Sequence, residues 1–282
     1  PTQYDSTNPD TWGAKINLMI AIATTVAFHL MMRVSEYAAL RGAGLGNKPD
    51  YAMRACNITF YFRNKDDKLQ QYPAHKIRQA PPVSTMRNNL DSVRFRFPMH
   101  KGDRYGDGAD LLIAADGVDM NHQQDRHINP TAAALEWAKT TRLGPEDQFF
   151  SIDPQYRPTA PHEGGPPCDP ARRVELTPDM MGVAVRYGAR QSGCPHDFVM
   201  RFTPHSLRVG GSTAYRNAPT EIRLPLEDIA GLGRWKSLGT AHGYQRLMGG
   251  FSRNVGKAMQ GIHQGGTYTT LNAMQALYHP ST

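Results

Sequence analysis

Apolar residues recur at intervals of three and four from Thr11 to Leu40, with Ile16, Met19, Ile20, Ala23 and Ala27 near one face. That period predicts one long helix with a buried stripe. The stretch Arg41 to Pro49 holds three glycines and one proline and ends it. Tyr51 to Phe62 is rich in aromatic and β-branched residues and predicts a strand or two. A basic loop follows through about Arg87. From Ser92 to Met99 the pattern changes to alternation, with Val93, Phe95 and Phe97 on one side and Arg94 and Arg96 on the other. This is the signature of a half-buried strand. His100 to Asp110 is a turn rich in glycine and aspartate, and Leu111 to Ala115 is the returning strand of a β-hairpin.

The rest of the chain reads as mostly helical. Pro130 to Arg142 is a helix capped by Asn129, with Pro130 in its first turn. Residues 153–170 carry six prolines and two glycines and predict a long surface loop. Further helices are predicted over Thr177 to Gln191, Pro204 to Asn217 and Leu226 to Leu232. The tail from Ser252 to Tyr278 gives two short helical patterns broken at Gly265 and Gly266. The order of elements predicts an α+β fold, mainly α, with a small antiparallel β-sheet or hairpin.

Composition narrows the function classes. The 282 residues suffice to bury a core, and 39% hydrophobic with 20% charged residues exclude disorder throughout. The net charge of +7 and pI near 9.4 favour a polyanionic partner, nucleic acid before anionic membrane. Cys56, Cys168 and Cys194 are odd in number and widely spaced, which fits free thiols and gives no zinc-ligand pattern. Leu18 to Met32 is the most apolar run, but it falls short of the roughly 18 residues that span a bilayer. His29 and the adjacent Arg33 interrupt it, so no membrane partner is expected.

Four segments carry candidate chemistry. In Thr203-Pro204-His205-Ser206-Leu207-Arg208-Val209-Gly210-Gly211, His205 and Arg208 stand three apart on one helical face. An imidazole beside a guanidinium can hold both non-bridging oxygens of a phosphate. In Arg33-Val34-Ser35-Glu36, Arg33 closes an apolar stretch and needs an anion partner, which Glu36 can supply. In Gly233-Arg234-Trp235-Lys236-Ser237, Trp235 offers an indole N–H and a large packing face. Tyr244 follows nine residues after it, across a short glycine-containing link read as flexible. Lys101 sits at the tip of the predicted hairpin. Each segment alone has a plain reading: a helix surface, an intrahelical ion pair, a core tryptophan, a solvated lysine.

Taken in order, arginine, hairpin lysine, H-x-x-R, tryptophan and tyrosine, the pattern resembles the tyrosine recombinase (phage integrase) family. His205-Ser206-Leu207-Arg208-Val209-Gly210 looks like the corresponding segment of its Cre-like members. Arg33-Val34-Ser35-Glu36-Tyr37 is similar to the family's first arginine box. Lys101-Gly102-Asp103, with Gly106 and Gly108, resembles the hairpin of eukaryotic mobile-element recombinases of the crypton and retrotransposon kind. The resemblance runs from Thr11 to about Leu247. The interval of 27 residues from Arg208 to Trp235 is longer than the family pattern and implies a loop insertion around Thr220 to Leu226.

The resemblance implies a division of roles. Tyr244 is the nucleophile, forming a 3′-phosphotyrosyl link to double-stranded DNA. Arg33 and Arg208 clamp the phosphate, His205 hydrogen-bonds it, Lys101 protonates the leaving 5′-oxygen, and Trp235 donates its N–H to a non-bridging oxygen. Physics accommodates these roles: a phenol has an unperturbed pKa near 10 and needs cationic neighbours. Fixed donors aimed at the developing charge are each worth about 10²–10³ in rate. The expected enzyme uses no metal and no cofactor, and it works inside the cell as a dimer or tetramer on DNA. In a eukaryote it works in the nucleus, otherwise in the cytoplasm with the DNA. The implied domains are a catalytic domain over 1–250 and a helical tail over 251–282. In that tail Ile262, Leu271, Met274 and Leu277 offer a face to a neighbouring protomer or to their own domain. An N-terminal clamp of roughly a hundred residues is expected ahead of this chain. Two other readings stand beside this one: a type IB topoisomerase, and a DNA-binding protein derived from a recombinase that no longer cuts.

Overall fold

A computed structural model describes residues 13–39, 51–80, 90–98, 108–115, 129–153, 173–218 and 223–245. The chain divides into two compact units, Pro1–Met181 and Gly182–Thr282. About half of the described residues are helical, and the first unit holds a small antiparallel sheet, so the protein is mixed α and β.

In the first unit, helix α1 (Ala14–His29) buries Ile16, Met19, Ile20, Ala23, Val26 and Ala27. The stripe read from the sequence is therefore its core face. The helix does not run on to Leu40. It stops at His29, and a separate turn, α2 (Val34–Tyr37), follows. The stop is a Schellman cap: Met31 N–H donates to the Phe28 carbonyl and Met32 N–H to the Ala27 carbonyl, at 3.2 and 2.9 Å. Met31 takes the left-handed conformation, φ 45°. A non-glycine residue there costs roughly 1–2 kcal/mol. The burial of Leu30, Met31 and Met32 offsets it.

α1 packs against helix α3 (Pro130–Thr140). Asn129 caps α3 as its sequence foretells, accepting from Thr131 N–H at 2.9 Å and Ala132 N–H at 3.1 Å. Four buried alanines, Ala132, Ala133, Ala134 and Ala138, line α3, and small side chains let helices approach closely. The wholly buried Trp137 donates its indole N–H to the Phe149 carbonyl at 2.6 Å.

The sheet has strand order β2-β1-β3-β4, with β1 Ile58–Arg63, β2 Leu69–Pro73, β3 Leu90–Phe97 and β4 Ala109–Ala114. β3 and β4 form the expected hairpin, pairing Phe95 with Leu111 and Phe97 with Ala109. Phe95 and Val93 stand opposite Ile58 and Phe60 of β1, all four buried, and Phe97 is buried as well. β2 falls in the stretch read as a basic loop. It is an edge strand whose polar residues show no alternation. A 3₁₀ turn, Ala74–Gln79, follows it and packs on α3. Tyr51 to Phe62 is one strand preceded by a 3₁₀ turn, Ala55–Asn57. A short pair, β5 Ser151–Ile152 and β6 Val174–Glu175, completes the unit. Much of the proline-rich segment between them lies outside the described residues.

Helix α4 (Pro178–Gln191) leads into the second unit, which continues with α5 (His196–Val199), α6 (His205–Asn217), α7 (Leu226–Leu232) and α8 (Leu238–Gln245). α6 packs against α7 and α8, and α7 against α8. The helices predicted at Thr177, Pro204 and Leu226 are present with nearly the expected bounds. No helix among the described residues is long and apolar enough to cross a membrane. The tail beyond Gln245 lies outside the described residues.

Candidate active site

α6 begins where its sequence says it should. Pro204 precedes the first turn, Ser206 N–H donates to the Thr203 carbonyl at 2.9 Å, and the Ser206 hydroxyl accepts from Thr203 N–H at 3.1 Å. His205 is the exposed first residue of the helix. Arg208, one turn on, is only 1% exposed. Burial of a guanidinium demands partners. Its Nη2 donates to the Gly233 carbonyl, and its central carbon stands 4.2 Å from the centroid of the Trp235 ring.

Both partners come from the turn that ends α7, a second Schellman cap. Arg234 N–H donates to the Gly231 carbonyl at 3.0 Å and Trp235 N–H to the Ala230 carbonyl at 2.9 Å. The left-handed residue is Arg234, φ 54°, not the glycine beside it. Gly233 is needed for space: a Cβ there would lie 2.1 Å from Cζ3 of Trp235. The ring thus folds back over Gly233, and one tight turn supplies the carbonyl that anchors Arg208 and the indole that faces it.

Three residues past Trp235, the chain is helical again. The sequence suggested a flexible link over Gly239–Gly243, but α8 spans it. Ser237 starts α8: its hydroxyl and carbonyl accept from Thr240 N–H at 3.2 and 3.1 Å. Ala241 is wholly buried. Capping and burial offset two helix glycines, each worth about 1 kcal/mol against alanine. Tyr244 therefore belongs to a helix packed on the one that bears His205 and Arg208.

Arg33 belongs to the first unit. It is not inside a helix but precedes α2, in an extended conformation. Glu36 holds it twice: one carboxylate oxygen accepts from the Arg33 N–H at 2.8 Å, the other from Nη1 at 2.9 Å. Glu36 is 1% exposed, and the Arg33 side chain is 22% exposed. The anion partner anticipated for Arg33 is present, and the pair keeps the guanidinium near the surface. Tyr37, next in the chain, has its phenol pushed up by burial and then by Glu36. Lys101 lies outside the described residues.

The second unit thus brings together Arg208 and Trp235, with His205 on the same helix and Tyr244 on its neighbour. Two contributors went unread in the sequence: the Gly233 carbonyl and the left-handed Arg234. The adjoining Gly233-Arg234-Trp235 was visible, but a backbone acceptor leaves no side-chain signature. Among the described residues no group of three or more histidine, cysteine, aspartate or glutamate side chains is placed to share a metal ion. The chain matches no protein-family model, no curated protein and no solved structure.

A planar cation held at one edge by a carbonyl and over one face by an indole has little rotational freedom left. Such a guanidinium is held in one orientation, because few of its degrees of freedom remain.

Proposed function

We propose that this chain is the catalytic part of a tyrosine recombinase, folded as that family's catalytic domain, which cuts and rejoins DNA through a phosphotyrosine. The observation that carries this reading is the buried Arg208, stacked on Trp235 and anchored on Gly233. It lies on a helix that opens with His205 and packs against the helix of Tyr244. A solvated helix face would leave its arginine exposed; here the protein encloses it.

In this reading the Tyr244 phenol oxygen attacks a DNA phosphorus. The phosphorus–5′-oxygen bond breaks, and the 3′ side remains on the tyrosine. Arg208 and Arg33 take the charge that builds on the equatorial oxygens, each stabilising the transition state more than the ground state. His205 donates to the same phosphate and accepts the phenol proton. Lys101 gives a proton to the departing 5′-oxygen. Trp235 orients Arg208, and its ring N–H adds a donor. The covalent link retains the phosphoester bond, so a 5′-hydroxyl from another strand reverses the step and completes exchange. Two or four copies assembled on double-stranded DNA bring the strands together.

Covalent trapping tests this. The protein is incubated with suicide substrates carrying the ends of its native element, in chelator, and resolved on a denaturing gel. A shifted band that disappears in Tyr244→Phe is expected. Absence of the band with the native ends and the complete protein overturns the reading in favour of DNA binding without cleavage. Relaxation of a supercoiled plasmid lacking those ends would instead assign a topoisomerase.

A further inference from the structure

The first unit holds a cavity of about 410 Å³, bounded by the 3₁₀ turn Ala74–Gln79, the end of α3 and the loop after it. Three arginines line it, Arg78, Arg142 and Arg173, with Asp147 and Asp153. Both carboxylates are already committed. Arg173 pairs with Asp153 at 2.6 Å and with Asp147 at 3.5 Å. Asp147 also accepts from Gly144 N–H at 2.7 Å. Arg78 spends its Nε on the Lys139 carbonyl at 3.2 Å and has no acidic partner among the described residues. Arg142, exposed, has no hydrogen-bond or acidic partner among them.

This is unusual for the unit. Arg33, Arg54, Arg63, Arg94 and Arg173 all have carboxylate partners. Of the described arginines there, only Arg78, Arg96 and Arg142 have none, and two of these three border one cavity. The last carbonyls of α3 do not oppose an anion strongly. Arg78 takes that of Lys139, Lys15 takes that of Thr140 at 3.0 Å, and Thr141 N–H takes that of Trp137 at 3.1 Å. His75, also on the wall, is pushed below its ordinary value by burial and then by Lys76, both of which disfavour its charged form. The surplus charge on the wall is positive and sits on two planar guanidinium groups, the side chains best shaped for phosphate oxygens.

We infer that Arg78 and Arg142, both in the first unit, form a seat for one phosphate group. The phosphate comes either from a nucleic-acid backbone or from a free phosphorylated compound. The inference does not depend on DNA cleavage.

Two measurements on the full chain test it. In the first, affinity for a mixed-sequence duplex is followed against salt. Each phosphate contact contributes about 0.9 to the slope of log affinity on log salt. Arg78→Ala, Arg142→Ala and the double variant are each expected to lower that slope by about 1. The double falls no further because both side chains grip the same phosphate. In the second, inorganic phosphate is added and thermal unfolding is followed at constant ionic strength. A rise in melting temperature in the parent and in Arg96→Ala, absent in the double variant, supports the seat with a free phosphate compound as its occupant. Should the parent fail to bind DNA yet show this protection, the seat stands and the recombinase reading falls. If the double variant matches the parent in both measurements, no such seat exists, whatever the protein does to DNA.

Discussion

Arg208 and Trp235 lie 27 residues apart in sequence, yet the guanidinium carbon stands 4.2 Å from the centroid of the indole. A buried cation on an aromatic face is worth about 2 kcal/mol. Trp235→Ala is therefore expected to lower stability by about 2 kcal/mol in urea unfolding. Trp235→Phe keeps a ring and is expected to lose less than half of that. If the ring serves chiefly to orient Arg208, Trp235→Phe also retains most of the covalent adduct. An N–H donor role predicts loss of adduct in both variants.

The turn between these two residues makes opposite demands on its neighbours. At Gly233 an added methyl meets the Trp235 ring at 2.1 Å, so Gly233→Ala must displace the indole or the Arg208 anchor. Overpacking of this kind costs about 1–3 kcal/mol. At Arg234 the backbone is already left-handed, and Arg234→Gly removes a strain of roughly 1–2 kcal/mol. It also removes the bond from Arg234 Nη1 to the Leu232 carbonyl at 2.8 Å, worth about 1 kcal/mol. Thermal unfolding should therefore rank Arg234→Gly at or above the parent and Gly233→Ala well below it. The reverse order would show that the side chain of Arg234, not its backbone, matters in this turn.

How far these features were legible differs from element to element. α3 and α4 carry proline at their first turns, and α3 has Asn129 as its cap, so their starts could be read directly. The β3–β4 hairpin was legible because one face is buried and alternation records it. The end of α1 was not, because its left-handed position is filled by Met31 rather than glycine. β2 was hidden as a polar edge strand. α8 was obscured by Gly239 and Gly243, whose low propensity is overridden by Ser237 and the burial of Ala241. At the site, the side chains were all visible as letters. What the letters omit is which of them the fold encloses, and that the anchor of Arg208 is a backbone oxygen.

Alkaline stability offers an independent check on the second unit. Burial pushes the Tyr215 phenol up to about 12, against about 10 in an unfolded chain. The folded state therefore keeps a proton that the unfolded state gives up. The resulting stability is fully present below about pH 10 and is lost as pH rises toward 12. It amounts to roughly 2–3 kcal/mol at most. Tyr215→Phe cannot ionise, so its unfolding free energy should fall less between pH 10 and 12 than that of the parent. Parallel curves would mean that Tyr215 titrates as if exposed.

The Arg33–Glu36 pair makes the most discriminating test of the first unit. Glu36 is almost wholly buried and contacts both the backbone and the guanidinium of Arg33, while Arg33 is partly exposed. Removing one partner of a buried pair costs about 3–5 kcal/mol. The exposure of Arg33 lowers that, so Glu36→Ala is expected to lose about 2 kcal/mol in urea unfolding. Glu36→Gln keeps an oxygen for the Arg33 N–H but loses the charge, and its stability loss should be about 1 kcal/mol. The neighbouring Tyr37 phenol, raised by burial and then by the Glu36 charge, should titrate at lower pH in Glu36→Gln. Ultraviolet difference titration, with Tyr37→Phe as the blank in the parent and in Glu36→Gln, isolates that phenol among the twelve tyrosines. If Arg33 clamps a phosphate, Glu36→Gln also slows adduct formation by more than its stability loss explains, because the guanidinium is no longer held. Were adduct formation unchanged while the Tyr37 titration moved, Glu36 would be confined to supporting the fold, and Arg33 would need no positioning from it.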